Sequence, residues 1–111
     1  MKVFLIQQKR LEELRRDQKV LMVSIQRIEM KKWMPLFEVM GDDGIVVTCS
    51  LRTQSKEQVR TWADLRLLAE WLRVELAFKR CQLILDNLSV PTIGAEDGKN
   101  EPDTPGKKVD G

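Results

Sequence analysis

The sequence predicts an α+β fold: a long N-terminal helix, then a small antiparallel sheet of order β-β-(β)-α-β with one packed helix, and a disordered C-terminal tail. Apolar residues recur at heptad spacing over residues 1–32, alternating residues flank a glycine-rich turn within residues 33–87, and residues 88–111 lack periodicity. A chain of 111 residues has the length of one domain. These three segments are therefore predicted to be an N-terminal helix, a compact α+β unit and a tail.

The predicted N-terminal helix has a coiled-coil pattern. The heptad a positions are Phe4, Leu11, Gln18 and Ile25, and the d positions are Gln7, Leu14, Leu21 and Ile28. Six of these eight positions are apolar. Lys31 and Lys32 suit a helix C-terminus, and Pro35 prevents the helix from continuing. We therefore expect the helix to mediate dimerisation or docking. The expected association residues are Leu11, Leu14, Leu21, Ile25 and Ile28.

The same segment also allows a second interpretation. Residues 20–30 are rich in β-branched side chains and partly alternate, so a helix that ends near Gln18 and is followed by a strand fits them as well. Residues 3–6 fit a strand too. Both interpretations remain open at the level of sequence.

The central segment is predicted to begin with a β-hairpin. Strands at about 34–41 and 44–53 flank the turn Gly41-Asp42-Asp43-Gly44, whose Asp-Gly pair is a hairpin signal. The polar stretch 53–58 is predicted to be a loop, and Val59 and Arg60 a short third strand. A last strand is expected at about 81–86.

A helix is predicted at about 62–77, after a capping-box-like Thr61-Trp62-Ala63-Asp64. This helix is apolar on two opposite sides, which is typical of a helix packed between two layers. One side carries Leu65, Leu68, Ala69, Leu72 and Leu76, and faces the predicted sheet. The other side forms a second apolar surface of Leu67, Trp71, Val74 and Phe78, to be covered by the N-terminal helix or by a second molecule.

The composition excludes several kinds of chemistry. The chain contains no histidine, which removes Ser/Cys–His catalysis and any zinc site with a histidine ligand. Its two cysteines, Cys49 and Cys81, are too few for a disulfide framework or a structural zinc site. We therefore expect no catalytic residue, no metal, no cofactor and no small-molecule substrate. No apolar run reaches a membrane span and no signal peptide is indicated, so a cytoplasmic protein without a membrane partner is expected.

The charge distribution indicates a basic body and an acidic tail. Residues 1–90 hold 16 Lys/Arg and 12 Asp/Glu, a net charge of +4, whereas residues 91–111 have a net charge of −2. The candidate phosphate contacts are Arg15, Arg16, Arg52, Lys56 and Arg60. Acidic residues lie between many of the basic ones, so an ordinary mixed-charge surface is the competing interpretation.

Two functions follow as expectations. The first is a non-enzymatic protein-interaction or adaptor module that self-associates through the N-terminal helix, as a homodimer or with another protein. The alternative is a nucleic-acid-binding accessory or regulatory protein of plasmid or phage type, which uses a basic loop with Arg52, Lys56 and Arg60 and the arginines of the first helix.

Overall fold

The computed structural model describes residues 2–53 and 58–88 and the backbone of residues 92–93. The elements are β1 (Lys2–Ile6), α1 (Gln8–Arg16), β2 (Val20–Glu29), β3 (Lys32–Met40), β4 (Val46–Leu51), α2 (Leu65–Glu75), β5 (Gln82–Ile84) and β6 (Thr92–Ile93). The strands form one sheet of order β5-β2-β3-β4-β1-β6. The β2-β3-β4 strands are antiparallel neighbours, whereas β1 runs parallel to β4 and β5 runs parallel to β2. The described elements therefore build a mixed sheet with two helices.

The predicted long N-terminal helix is wrong, because the first helix has only nine residues. It ends near Asp17, and Gln18 takes a left-handed conformation with φ of 59°. The following residues 20–29 are strand β2, in which β-branched side chains such as Val23 and Ile25 are favoured because their stiff χ1 suits an extended backbone. The second interpretation of this segment, with strands on both sides of a short helix, is the one that the structure has.

The predicted antiparallel sheet is wrong for the same reason. Residues 2–6, which the heptad placed in the helix, form β1 and lie parallel to β4, with Phe4 opposite Cys49. A parallel pair needs a crossover connection. The chain from β1 through α1 and the β2-β3 hairpin makes that connection, and the result is a mixed sheet.

The five predicted association residues do not form one seam. Leu11 and Leu14 are buried on α1, and Ile25 is buried on β2 in the same core. Leu21 is exposed, and Ile28 packs on the opposite face of the sheet. The heptad spacing arises because one helix and one strand contribute apolar side chains to a common core.

The β3-β4 hairpin and α2 lie close to their predicted places. The hairpin turn spans Gly41 to Gly44, and Gly44 has a φ of 82°, which glycine adopts without strain. The cap of α2 differs from the prediction: Asp64, not Thr61, caps the helix, and its carboxylate accepts a hydrogen bond from the backbone N–H of Arg66 (2.9 Å). The helix consequently starts at Leu65, about one turn later than predicted.

The two helices share one face of the sheet. Leu11 and Leu14 of α1 share one core with Leu68 and Leu72 of α2 and with Leu76, the C-cap residue of α2, above a layer of strand residues. That layer consists of Val23, Ile25, Phe37, Val39, Cys49 and Leu51. The opposite face holds a smaller cluster of Val3, Met34 and Leu36, against which Leu5, Ile28, Val59 and Leu88 pack. The larger of the two clusters, the main core, thus holds α1 and α2 in place on the sheet.

The predicted second apolar surface is divided between different environments. Trp71 packs beside Trp62, with ring centroids 5.1 Å apart, and Phe78 stacks on Phe37. Leu67 and Val74 are 63% and 56% exposed. The four residues therefore split into two that border the core and two that face outward.

The remaining expectations concern the tail and the membrane. The predicted disordered tail, residues 88–111, lies outside the described residues except for Leu88 and the backbone of β6. Among the described residues, no helix has both the length and the apolar character needed to cross a membrane.

Candidate basic cavity

A cavity of about 570 Å³ lies where β1 and β4 end. Because these strands are parallel, their carboxyl ends lie at the same edge of the sheet, which is where open α/β sheets usually bind ligands. The described residues that line the cavity are Gln7, Gln8, Lys9, Leu51, Arg52, Thr53 and Arg60. They come from three segments: the start of α1, the end of β4 with the two residues after it, and the returning segment, residues 58–62, which lies antiparallel to the end of β4.

Pro35 explains why the returning segment enters the sheet here. The β3-β4 pairing ends at Phe37 opposite Cys49, and continuing it would place Pro35 opposite Leu51. Proline has no N–H to donate to a neighbouring strand. Instead, the backbone N–H of Arg60 donates to the carbonyl O of Leu51 (2.7 Å). The end of β4 therefore pairs with residues 58–60, which brings Arg60 beside Arg52.

Trp62 anchors the C-terminal end of the returning segment, residues 58–62. Its N–H donates to the carbonyl O of Trp33, and the N–H of Trp33 donates to the carbonyl O of Trp62, both at 2.8 Å. This exchange holds the segment against the start of β3. The position of Arg60, two residues earlier, is fixed by backbone bonds on both sides.

The guanidinium group of Arg60 is held by two tryptophan rings and one amide. It lies 4.4 Å from the ring centroid of Trp62 and 5.2 Å from that of Trp71. Its Nη1 also donates to Oε1 of Gln8 (3.5 Å). Arginine stacked on aromatic rings loses little of its donor capacity, because cation–π contacts use the face of the guanidinium group and leave N–H groups at its rim.

The described residues that line the cavity carry a net positive charge. Lys9, Arg52 and Arg60 are cationic, and no acidic residue is among the described residues that line it. The start of α1 adds to this field, because the first turn carries no acidic residue and Gln7 makes no side-chain cap. The first N–H groups of a helix lack partners within the helix and carry partial positive charge. The chemistry that fits this arrangement is the binding of an anion.

The structure brings together two of the predicted phosphate contacts and separates the others. Arg52 and Arg60 line the cavity. Arg15 lies near the far end of α1, where it donates to the carbonyl oxygens of Leu76 and Ala77 and stacks on the ring of Phe78. Arg16 forms an ion pair with Asp17 at the same end of α1, and Lys56 lies outside the described residues.

Sequence reasoning missed Lys9, Gln7, Gln8 and Thr53 as parts of this site. The heptad placed Gln7 in a helix seam, whereas it is the residue between β1 and α1. One signal was available: an apolar run at residues 3–6 is followed at once by the polar residues Gln7, Gln8 and Lys9, as expected where a buried strand ends.

A second, smaller cavity of about 400 Å³ lies near the start of β2. Its lining includes Leu21, Met22, Phe78 and Cys81. Partial burial raises the pKa of the Cys81 thiol above its ordinary value, and deeper burial raises that of Cys49 in the main core. Neither thiol is therefore activated as a nucleophile at neutral pH.

Within the described part of the chain, no cluster of three or more His, Cys, Asp or Glu side chains is arranged to hold a metal ion. Comparisons with protein families, with curated proteins and with solved structures found no match for this chain.

Proposed function

We propose that this protein binds nucleic acid and that the basic cavity contacts phosphate groups. The observation that carries the proposal is the convergence of Lys9, Arg52 and Arg60, from three separate segments, on one cavity whose described lining residues include no acidic side chain. Lysine and arginine supply most phosphate contacts in nucleic-acid complexes. The proposal is therefore one of phosphate binding.

The test measures binding of fluorescently labelled single-stranded and duplex oligonucleotides by anisotropy over a series of salt concentrations. Binding through phosphates weakens as salt rises, and each contact contributes about 0.7–0.9 to the slope of log K against log salt. We expect Arg52→Gln and Lys9→Gln each to lower the affinity several-fold and to reduce that slope by about one contact.

Arg16→Gln is the matched control. It removes the same charge from the other end of α1, roughly 12 Å along the helix axis from the cavity. We expect it to leave affinity and slope nearly unchanged. Equal weakening by Arg16→Gln and Arg52→Gln would show that only net charge matters, and absence of binding at low salt would refute the proposed function.

Protein binding is a second candidate, and the open edge of β2 favours it. Strand β5 pairs with β2 only from Ser24 to Gln26. The first part of β2 has no neighbour on that side among the described strands, and Leu21 and Met22 are exposed there. Exposed strand edges can accept a strand from another chain.

Light-scattering mass after size exclusion tests this second candidate for self-association. If two copies meet at this edge, the wild type is a dimer and Leu21→Lys is a monomer, because edge lysines oppose strand pairing. A monomeric wild type would exclude self-association at this edge.

For localisation, we propose the cytoplasm. Cys49 and Cys81 are both free thiols, which is typical of a reducing compartment.

A further inference from the structure

We propose that the basic cavity holds the terminal nucleotide of a single strand and recognises its terminal phosphate. This inference rests on the proposed nucleic-acid function and makes it narrower. It names the chemistry of the ligand as a phosphomonoester at a strand end, in contrast to a phosphodiester within a duplex.

The shape of the cavity favours a single nucleotide unit. Its volume of about 570 Å³ lies within the roughly 300–1,000 Å³ of pockets that enclose small ligands. A duplex presents its phosphates on a convex surface, and proteins read it with elements that protrude into its grooves. A recess of this size instead suits one unstacked unit at the end of a strand.

The charge of the cavity favours a terminal phosphate. A phosphodiester carries one negative charge, whereas a terminal phosphate carries about −1.5 to −2 at pH 7 and offers three acceptor oxygens. Lys9, Arg52 and Arg60 provide three cationic groups around the same space. Several cationic donors match a dianion better than a single backbone phosphate.

The tryptophans next to Arg60 provide a direct signal of occupancy. The chain has three tryptophans and no tyrosine, so its fluorescence comes from Trp33, Trp62 and Trp71. Two of these rings contact the Arg60 guanidinium group. A phosphate that draws this group toward the cavity will change their fluorescence.

The experiment compares one single-stranded oligonucleotide in three forms: with a 5′-phosphate, with a 3′-phosphate, and with hydroxyl groups at both ends. The blunt duplex of the same sequence and inorganic phosphate are the further probes. We expect one phosphorylated form to bind about tenfold or more tightly than the unphosphorylated strand, as charge-assisted hydrogen bonds predict. The form that binds more tightly identifies which end of the strand enters the cavity.

Variants locate this preference in the cavity. Lys9→Gln changes an exposed side chain on α1, so the variant should fold, and we expect it to reduce the preference for the phosphorylated strand. Arg52→Gln should do the same. Arg16→Gln should keep the full preference, and the fluorescence change should saturate at the concentrations at which the phosphorylated strand binds.

The outcomes separate this inference from the proposed function. Equal affinity for phosphorylated and unphosphorylated strands, or tighter binding of the duplex, would overturn the inference and leave nucleic-acid binding intact. Inorganic phosphate that competes as well as the phosphorylated strand would also overturn it, because the cavity would then hold a phosphate ion alone. Absence of binding to every oligonucleotide would overturn the proposed function itself.

Discussion

Leu11→Ala and Leu21→Ala form a matched pair that distinguishes the observed fold from a helical seam. Both are leucines in the heptad pattern, at an a and a d position, so a coiled coil would bury both and lose stability with either change. In the structure, Leu11 is 0% exposed on α1, whereas Leu21 is 52% exposed on β2. The two substitutions remove the same atoms from opposite environments.

The burial of the two side chains sets the expected magnitudes. Replacing a fully buried leucine by alanine costs about 2–5 kcal/mol of the free energy of unfolding, through lost transfer free energy and the cavity left behind. About half of the Leu21 side chain remains in water, so its loss should be about 1 kcal/mol or less. Domains are stable by roughly 5–15 kcal/mol, so Leu11→Ala removes a large part of the total.

Urea unfolding followed by tryptophan fluorescence measures both changes. With a loss of about 3 kcal/mol and a slope of about 2 kcal/mol/M, the midpoint for Leu11→Ala falls by about 1.5 M. The midpoint for Leu21→Ala should fall by about 0.5 M or less. Equal shifts for the two variants, together with a midpoint that rises with protein concentration, would refute the reasoning and indicate a shared helical seam.

Two further predictions concern titratable groups. Hydrogen bonds from Arg66 hold the pKa of Asp64 below its ordinary value. The ionised Asp64 cap therefore contributes its full stabilisation at a pH above the pKa that Asp64 has in the unfolded chain. This contribution is lost as the pH falls through the lower pKa of the folded state. Asp64→Asn keeps a capping side chain without a titrating group, so its thermal midpoint should fall less than that of the wild type below about pH 4; identical pH profiles would contradict this. Cys81 is exposed and Cys49 is 3% exposed, so a thiol reagent should add one adduct to the native protein and a second only after unfolding, as counted by mass spectrometry; two adducts under native conditions would show that the core opens.

Local sequence signals determined the central hairpin and the second helix. The Gly41–Gly44 turn and the alternation of apolar and polar residues after it place β3 and β4. Both signals lie within the hairpin itself and do not depend on distant residues. Leu68, Leu72 and Leu76 recur at helical spacing and are the buried side of α2 and its C-cap. The absence of histidine likewise restricts the chemistry whatever the fold.

Only the tertiary structure decided the secondary structure of residues 2–30. Their apolar spacing fits a heptad and also fits a strand, a short helix and a second strand. The decision depends on partners: residues 20–29 pair with β3, and residues 2–6 pair in parallel with β4, some 45 positions away. The conformational preference of a short segment carries no information about hydrogen bonds to residues far along the chain. Such tertiary interactions often override that local preference.

The candidate site depends on the same long-range pairing. Arg52 and Arg60 are close in sequence, and their shared location could be predicted from the polar stretch 53–58 between them, which the sequence predicts to be a loop. Lys9 is more than forty residues away and joins them only because parallel pairing of β1 with β4 brings the start of α1 to the same edge of the sheet. The sequence by itself determined which charges are available, and the crossover from β1 to β4 decided which of them face one cavity, because a parallel pair aligns the carboxyl ends of strands that are distant along the chain.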